Sequence, residues 1–435
     1  MPKHHSHAAA STVTFTPTVI KRGLWMWGLA SLFYFYDYLL QVSPGAMKPE
    51  LFEAFSLTAV QFGSISALFH YAYGSMQIPA GMLLDQWGPR RILTLACVLS
   101  ALGCFWFGWA EQGWEAQLSR LLMGLGASFA LMGCFKIASI WFPPNHFAFV
   151  TGCTVTIGFL GGFFGLSMVS EIIKVVHWRE SLRIGAWVGF LGAIALFLVV
   201  RDKRTRNGEP ASDTHLHLPQ IWQGLKRVCS QKNDWFASIY SGLMFSPTLA
   251  FSLWGVPFLV EAHHFDRHTA GQLSSVIYIG WIIGAPFYGW LSDKMGSRTK
   301  PMVYATVLNL ITCISLIYLT HLPVMLIGSL LFLMGFFSSG FILAFVIVRE
   351  NHPVSVTGTA MGFINTLNSL IGAISQPLIG MFLEKFSGEP TYNDLNERIF
   401  SLPDYQNALS LLIVALVLSL ILLFQIKDTH PKKVA

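Results

Sequence analysis

Charged residues are scarce in this chain. Only 11% of its 435 residues are Asp, Glu, Lys or Arg and 53% are hydrophobic, whereas roughly a quarter of the residues of a soluble globular protein are charged. This composition excludes an ordinary soluble domain and indicates a membrane protein. The net charge of +6 comes without a basic patch or a nucleic-acid-binding motif, so we expect no nucleic-acid partner.

Three kinds of functional motif are also missing. The six cysteines are scattered without metal-ligand spacing, so we expect no metal and no cofactor. No Walker-type loop is present, which argues against ATP as an energy source. Ionisable residues inside the apolar segments are too sparse and dispersed for a catalytic cluster, so we do not expect an enzyme.

Long apolar runs dominate the chain instead. Each is around 20 residues long, enough to cross a hydrocarbon core of about 30 Å at 1.5 Å per residue. The runs do not alternate with a period of two, which favours helices over the strands of a membrane barrel. The sequence predicts an all-α integral membrane protein with twelve spans, at 22–43, 59–83, 91–110, 117–142, 148–172, 183–200, 235–260, 270–291, 301–320, 323–348, 357–383 and 406–426.

The distribution of Lys and Arg predicts the orientation. Of the 28, 19 fall in the tails and loops on the side of the N-terminus, seven fall on the opposite side, and Arg120 and Lys136 lie within spans. Because positive charge is retained inside, both termini should be cytoplasmic. The predicted organisation is a cytoplasmic tail (1–21), a six-helix bundle (22–200), a cytoplasmic linker (201–234), a second six-helix bundle (235–426) and a short cytoplasmic tail (427–435).

A loop motif occurs once in each half. GMLLDQWGPRR (Gly81 to Arg91) follows the second span and GWLSDKMGSRTK (Gly289 to Lys300) follows the eighth. The repeat indicates a duplicated six-helix unit, as in transporters whose halves move about a central site. The first copy resembles the signature loop of the major facilitator superfamily, and LSRLLMGLGASFA in the fourth span resembles a second signature of that family.

The family resemblance has a narrower form. FYFYDYLLQVSP, RLLMGLGASFALMGCFKIASIWF and GFINTLNSLIGAISQPLIG are similar to the phagosomal nutrient transporters of intracellular gammaproteobacteria and their relatives. That resemblance implies uptake of amino acids or nucleosides, and nearby relatives are associated with siderophores. The fifth span lacks the Gly-Pro pair of drug-exporting relatives, which lowers the expectation of drug export.

Asp37 is the leading candidate for proton coupling. A charge inside a span is costly and should face protein or water, and Tyr34, Tyr38 and Gln41 follow the same helical face. These three are candidate substrate ligands. The alternative is a static carboxylate bonded to Tyr34, Tyr38 or a cation.

Two further ionisable residues are candidates for coupling. His70 could relay a proton with Asp37, or it could be a packing residue. Arg120 belongs to the family signature, where this arginine is implicated in coupling, and it could equally anchor backbone carbonyls.

Candidate substrate ligands also occur in later spans. Lys136 could bind a carboxylate of the substrate in the cavity or extend to the interface. Asn365 and Asn368 offer amides on one face, or they could bond neighbouring helices. The full set of further candidates is Lys136, Trp254, Tyr278, Asn365, Asn368 and Gln376.

The repeated loops are interpreted as gating elements. The candidates are Gly81, Asp85, Gly88, Arg90 and Arg91 in the first copy and Asp293 and Arg298 in the second, which looks less complete. By resemblance, Asp85 with Arg90 or Arg91 should bridge to a helix end in the other half. Arg349 and Glu350 are interpreted as a gate or interface pair.

We therefore expect a monomeric, proton-coupled importer of a small polar organic solute in a bacterial inner membrane. Its expected partners are a small-molecule substrate, the proton and the lipid bilayer. Two alternatives stay open: a siderophore or drug transporter, working inward or outward, and a membrane sensor that binds its ligand without moving it.

Overall fold

The computed structural model describes residues 17–142, 144–202, 218–319, 322–352, 356–387, 391–392 and 398–429. The N half contains α1 Pro17–Ala46, α2 Lys48–Phe55, α3 Ala59–Ser75, α4 Gln77–Trp109, α5 Gly113–Ala127, α6 Ala130–Trp141, α7 Pro144–Val175 and α8 Trp178–Val199. Helix α9, Leu218–Cys229, lies in the predicted linker. The C half contains α10 Lys232–Pro257, a π-helical turn Phe258–Ala262, α11 Arg267–Met295, α12 Thr299–Tyr318, α13 Val324–Ser338, a 3₁₀ turn Ser339–Phe341, α14 Ile342–Glu350, α15 Thr357–Phe386 and α16 Leu402–Leu423.

The predicted helical membrane fold is confirmed. Within the described ranges, ten helical segments are long and apolar enough to cross a membrane, and α2 with α3, bent by 111°, would make an eleventh. Helix α1 falls outside that group because its tyrosines, Asp37 and Gln41 lower its mean hydropathy. Its 30 residues still reach about 45 Å at helical rise.

Helices and predicted spans differ mainly at their junctions. Helix α4 carries the end of the second span and the whole third span, and Gly88, with φ +77°, breaks it between the two. The fourth span is divided between α5 and α6, and the tenth between α13 and α14. The domain boundaries stay predictions, although α1 begins at Pro17, inside the predicted tail, and α10 begins at Lys232, inside the predicted linker.

One glycine contact occurs in both halves. A Cβ on Gly124 of α5 would lie 2.1 Å from the carbonyl oxygen of Phe69 in α3, and a Cβ on Gly335 of α13 would lie 1.9 Å from that of Ile277 in α11. Both glycines follow a Leu-Met pair, and both precede the break in their span. This repeated close approach supports the duplicated six-helix unit.

The two halves contact each other chiefly along three helix pairs, with a smaller contact between α4 and α15. Helix α3 packs against α15, α7 against α11, and α1 against α10. We call the end of the bundle that carries α2 the α2 end, and the opposite end, with Gly88 and Gly296, the linker end. If both termini are cytoplasmic, as predicted, the α2 end faces the outside.

Large apolar side chains cover the surface that faces lipid. On α8 five of the exposed residues recur every three or four positions, as a single helix face requires: Ile184, Trp187, Leu191, Ile194 and Leu198. One short element was not predicted. Thr391–Tyr392 pairs with Arg398–Ile399 as an antiparallel ribbon in the last connection, too short for a periodic sequence signal.

Candidate functional site

Asp37 is buried in the N half and points toward α4. Its side chain is 2% exposed, and the Ser100 hydroxyl donates to Oδ1 at 2.8 Å. The second oxygen, Oδ2, has no hydrogen-bond partner among the described residues. Neither tyrosine proposed as a static partner bonds it, and no Lys, Arg or His nitrogen of the described chain lies within 4 Å. A lone neutral donor leaves an ionised carboxylate poorly compensated in an apolar interior.

The predicted polar face of α1 is divided between two neighbours. Tyr34 packs edge-on against Tyr38, with ring centroids 5.2 Å apart, and Gly158 of α7 leaves room for the Tyr34 ring. Tyr38 continues to Phe159 at 5.5 Å. The tyrosines therefore face α7 while Asp37 faces α4, and Gln41 is half-buried.

Arg120 makes the backbone hydrogen bonds that one of its two predicted roles requires, and its role in coupling stays a prediction. Its guanidinium donates to the carbonyl oxygens of Leu40 at 2.7 Å and Gln41 at 2.9 Å, and it lies over the Phe69 ring at 4.6 Å. Pro44 has no N–H, so Leu40, four residues earlier, lacks its helical donor. Arg120 replaces that donor and fixes α5 to α1.

His70 is buried on α3 without a bond to Asp37. Its side chain is 3% exposed and its Nε2 has no partner in the described part of the chain. The Phe69 ring lies edge-on to the imidazole at 5.5 Å. A direct proton relay between His70 and Asp37 is therefore not formed in this conformation.

An aromatic cluster joins the two halves near the middle of the bundle. Phe159 of α7 lies 5.0 Å from Trp281 of α11, and the Trp281 indole donates to Thr248 at 2.9 Å. Tyr278 packs on Gly162, where a Cβ would lie 2.7 Å from the ring. Sequence reasoning found Tyr278 and missed Phe159 and Trp281, because aromatic residues are common in every span.

Trp254 forms a wall nearer the α2 end. It is fully buried, and its indole donates to the Gln376 carbonyl oxygen at 3.2 Å. Phe62 of α3 meets it edge-on at 5.2 Å. Trp254 thus packs between the halves, and its one polar group is already bonded.

The three predicted amides of α15 have different surroundings. Asn368 accepts from Ser241 at 2.8 Å, and Gln376 donates to the Leu249 carbonyl at 3.1 Å. Both bonds join α15 to α10 within the C half. Asn365 is half-buried and lies beside Tyr73 of α3, across the boundary between the halves. Of the three, Asn365 is the best placed to meet a substrate between the halves.

Lys136 is half-buried on α6. Binding of a substrate carboxylate and extension to the membrane interface both stay predictions for this side chain. No group of three or more His, Cys, Asp or Glu side chains that could hold a metal is found within the described residues.

The first repeated loop is anchored inside its own half. Gly88 faces the Asp202 carboxylate, 2.5 Å from the position a Cβ would take, and the Arg90 backbone N–H donates to Asp202 at 3.2 Å. The Arg90 side chain donates to the Phe197 carbonyl at 2.8 Å. The expected bridge from Arg90 to the other half is therefore wrong for this conformation, because the free carbonyls at the end of α8 take its guanidinium.

The other candidate gating residues of that loop are Gly81, Asp85 and Arg91. Gly81 has no atom within 4 Å of a built Cβ, and Arg91 is exposed. The side chain of Asp85 lies outside the described part of the structure, so its role stays a prediction.

The second loop has the same architecture and a full charge network. Arg298 bonds Asp293 at 2.6 Å and Glu350 at 2.9 Å. Asp428 accepts from the Arg298 backbone N–H at 3.1 Å, as Asp202 does from Arg90. Glu350 is bonded to Arg298, and the gate or interface role of Arg349 and Glu350 stays a prediction. Whether the second copy is less complete than the first also stays a prediction, because the Asp85 side chain lies outside the described part of the structure.

Two loop-anchoring residues could have been found from the repeat. Asp202 and Asp428 follow the last helix of each half, and each is preceded by a basic residue, in VRD and IKD. Ser100, the donor to Asp37, had no comparable signal because hydroxyl residues are frequent in membrane helices.

Comparisons with known proteins identify the family. The sequence profile of the Major Facilitator Superfamily matches residues 28–376 and 235–435. The "Probable sulfoacetate transporter SauU" of Cupriavidus necator is 22% identical over 375 residues, covering 82% of this chain and 86% of that protein. The "Probable hexose phosphate transport protein" of Chlamydia pneumoniae is 22% identical over 360 residues, covering 76% of this chain and 78% of that protein.

The fold has a close structural counterpart. A bacterial homologue of the human lysosomal transporter Spinster, in an inward-facing and unoccupied conformation, superposes with a TM-score of 0.74 at 15% identity, covering 93% of this chain and 97% of that one. The family and the fold agree with a multi-pass protein of the bacterial inner membrane, a transporter rather than an enzyme. This chain belongs to the Major Facilitator Superfamily.

Proposed function

We propose that this protein is a proton-coupled importer of a small polar organic solute that works by alternating access. The observation that carries the proposal is the surroundings of Asp37. Its buried carboxylate has one neutral donor, Ser100, and one oxygen without a partner among the described residues. Arg120 forms no ion pair with it among the described residues, and its two terminal nitrogens donate to backbone carbonyls instead.

The charge distribution between the halves supports an N-half coupling site. The predicted spans of the C half contain no Asp, Glu, Lys, Arg or His. Asp37, His70, Arg120 and Lys136 all lie inside predicted spans of the N half, and Asp37 and His70 lie nearest to the middles of their spans. A coupling proton that binds deep in the membrane would therefore bind in the N half, and Asp37 is its only acidic group there.

Coupling requires that protonated and ionised Asp37 favour different conformations. A ligand shifts such an equilibrium only by its difference in affinity for the two states. In our proposal, the protonated form permits the movement that carries the solute inward. Proton release to the cytoplasm then resets the carrier.

The substrate class is proposed from two sources. The resemblance to phagosomal nutrient transporters favours amino acids or nucleosides. The relatives at 22% identity are named for sulfoacetate and hexose phosphate, which extends the candidates to small organic acids and sugar phosphates. Asn365, Tyr38 and Tyr73 would supply neutral hydrogen-bonding groups to such a solute.

The test is a solute screen in proteoliposomes with an imposed pH gradient, comparing the native chain with Asp37→Asn. We expect the native chain to accumulate a solute from one of these classes. The variant should exchange that solute across the membrane without accumulating it, because the proton-binding group is gone. Full gradient-driven accumulation by Asp37→Asn would contradict the coupling proposal, and binding without flux in the native chain would favour the sensor alternative.

A further inference from the structure

The short helix α2 carries two charged residues that contact the opposite half. Lys48 pairs with Glu261, and Glu50 pairs with Arg267. Helix α2 connects the first two spans of the N half, while Glu261 and Arg267 flank the connection between the first two spans of the C half. The equivalent connections of the two halves therefore meet with opposite charges facing each other.

The Lys48–Glu261 pair is the buried one. The two side chains are 4% and 10% exposed. The Lys48 ammonium also lies 4.9 Å from the Phe52 ring centroid and 5.0 Å from that of Phe400. The Phe400 N–H and the Tyr405 hydroxyl donate to the other Glu261 oxygen at 3.1 and 3.0 Å. Apart from Lys48, the ligands of Glu261 come from the C half.

A backbone irregularity sets the position of Glu261. Helix α10 ends at Pro257, and Phe258–Ala262 forms a π-helical turn that contains the glutamate. Such turns occur mostly as single insertions in α-helices and are frequent at functional sites. This one places the carboxylate toward α2 and α16 at the same time.

Polar contacts between the halves concentrate at the α2 end. Besides the two α2 pairs, His268 pairs with Glu171, and the Val60 N–H donates to Glu384 at 3.1 Å. At the linker end, the described ion pairs and hydrogen bonds of the repeated loops join residues of one half. Most of the described polar contacts between the halves therefore lie at the α2 end, and the Thr366 hydroxyl, which donates to the Gly74 carbonyl at 2.9 Å, is an exception.

We propose that Lys48 and Glu261 form the gating pair of the α2 end and separate whenever the halves open there. The inference rests on the alternating-access part of the proposed function and is independent of its proton coupling. Removing one partner leaves the other charge buried and unpaired, which is far more costly than losing an exposed pair. Glu261 keeps its C-half ligands on opening, whereas Lys48 leaves with the N half.

The test uses a cysteine placed behind the gate. Ser252 is 3% exposed and lies nine residues before Glu261, about 13 Å deeper at helical rise. Gly45 of α1 covers it, since a Cβ there would lie 2.2 Å from the Ser252 carbonyl oxygen. Ser252→Cys should therefore react with a membrane-impermeant methanethiosulfonate only when the α2 end opens.

The modification rate is measured on intact cells. The native chain, without Ser252→Cys, shows how much reagent its own cysteines take up. The exposed position Glu53 on α2, as Glu53→Cys, checks that the α2 end faces the reagent. In the Ser252→Cys chain, Glu261→Gln keeps an acceptor for Phe400 and Tyr405 but removes the charge. We expect its modification to be at least about tenfold faster, as loss of a buried ion pair predicts.

The controls separate gating from general loosening. Lys48→Met should act like Glu261→Gln, and the double variant should react no faster than the single ones, because one interaction is lost in each. Lys48→Arg should react at the native rate. Glu180→Gln removes a more exposed pair, with Arg183, within α8 at the same end and should change nothing.

The gating role would be overturned if the Ser252→Cys chain reacted at the same rate with and without Glu261→Gln, in protein that elutes as a single folded species. Faster modification in Glu180→Gln as well would also overturn it, since the effect would then not be specific to the pair. Neither result depends on a substrate or on Asp37. A failure of proton coupling would therefore leave this outcome unaffected.

Discussion

The Arg120 side chain donates hydrogen bonds to backbone carbonyl oxygens of another helix. Pro44 near the end of α1 removes the N–H that would bond the Leu40 carbonyl, and a buried carbonyl without a donor costs about 1–3 kcal/mol. The Ser43 hydroxyl at 3.0 Å and the Arg120 guanidinium at 2.7 Å both donate to it. The arginine also reaches Gln41, which a lysine could not do in the same geometry.

We expect Arg120→Met to lower the free energy of unfolding by about 1–3 kcal/mol, because two carbonyls lose a charged donor. Pro44→Ala should recover part of that loss, since it restores a backbone N–H for Leu40. Thermal unfolding in detergent of the two single variants and the double variant measures the coupling. Strictly additive effects would show that Pro44 and Arg120 do not act on the same carbonyl.

At the scale of helices, close approach depends on a few glycines. Gly124 and Gly335 lie against carbonyl oxygens of α3 and α11, and the distances of 2.1 and 1.9 Å from a built Cβ leave no room for a methyl group. Backbone atoms cannot turn aside as a flexible side chain can. The contact therefore fixes how the second and fourth spans of each half pack.

Gly124→Ala and Gly335→Ala should each destabilise the protein by about 1–3 kcal/mol or more, as overpacking does. Gly185→Ala is the matched control, because its nearest neighbour, the Cys104 sulfur, lies at 3.6 Å, an ordinary contact distance. Thermal stability of the purified variants measures the difference. An equal loss in all three would show that helix propensity or expression, rather than the close approach, decides the outcome.

The aspartates after α8 and α16 connect the last helix of each half to its third. Asp428 accepts from the backbone N–H groups of Arg298 and Thr299 at 3.1 and 3.2 Å, at the start of α12. Asp202 does the same for Arg90 at the start of the third span. A carboxylate at such a position satisfies free N–H groups and complements the helix dipole.

We expect Asp428→Ala to cost about 1–2 kcal/mol of stability, and Asp428→Asn less, because the amide retains one acceptor oxygen. Asp202→Ala should have a similar effect in the N half. Unfolding in detergent followed by tryptophan fluorescence measures both. Native stability in both alanine variants would contradict the anchoring role.

At the scale of the whole molecule, the sequence predicts the helices better than their contacts. Runs of about 20 apolar residues are long enough to define spans, and the repeated Gly88 and Gly296 loops reveal the two halves. The sequence also locates Asp37, because a carboxylate in a span is conspicuous. Its donor Ser100 and the split of the α1 face depend on helix rotation, which a periodic pattern does not encode.

Contacts between the halves were the least predictable feature. Lys48 and Glu261 are separated by 213 positions in the chain, and each lies in a connection where charges are common. Only the fold brings the two connections together. The expected bridge from Arg90 to the other half is absent for the same reason: its partner depends on which helix end lies nearest in this conformation.

The proposed function requires that the solute enter together with a proton, and that Asp37 bind that proton. It is tested most directly by the internal pH of proteoliposomes that contain a pH-sensitive dye, after the solute found in the screen is added outside without an imposed gradient. We expect the solute to acidify the lumen with the native chain and not with Asp37→Asn, although the variant still exchanges labelled solute. Equal acidification by the two proteins would contradict it.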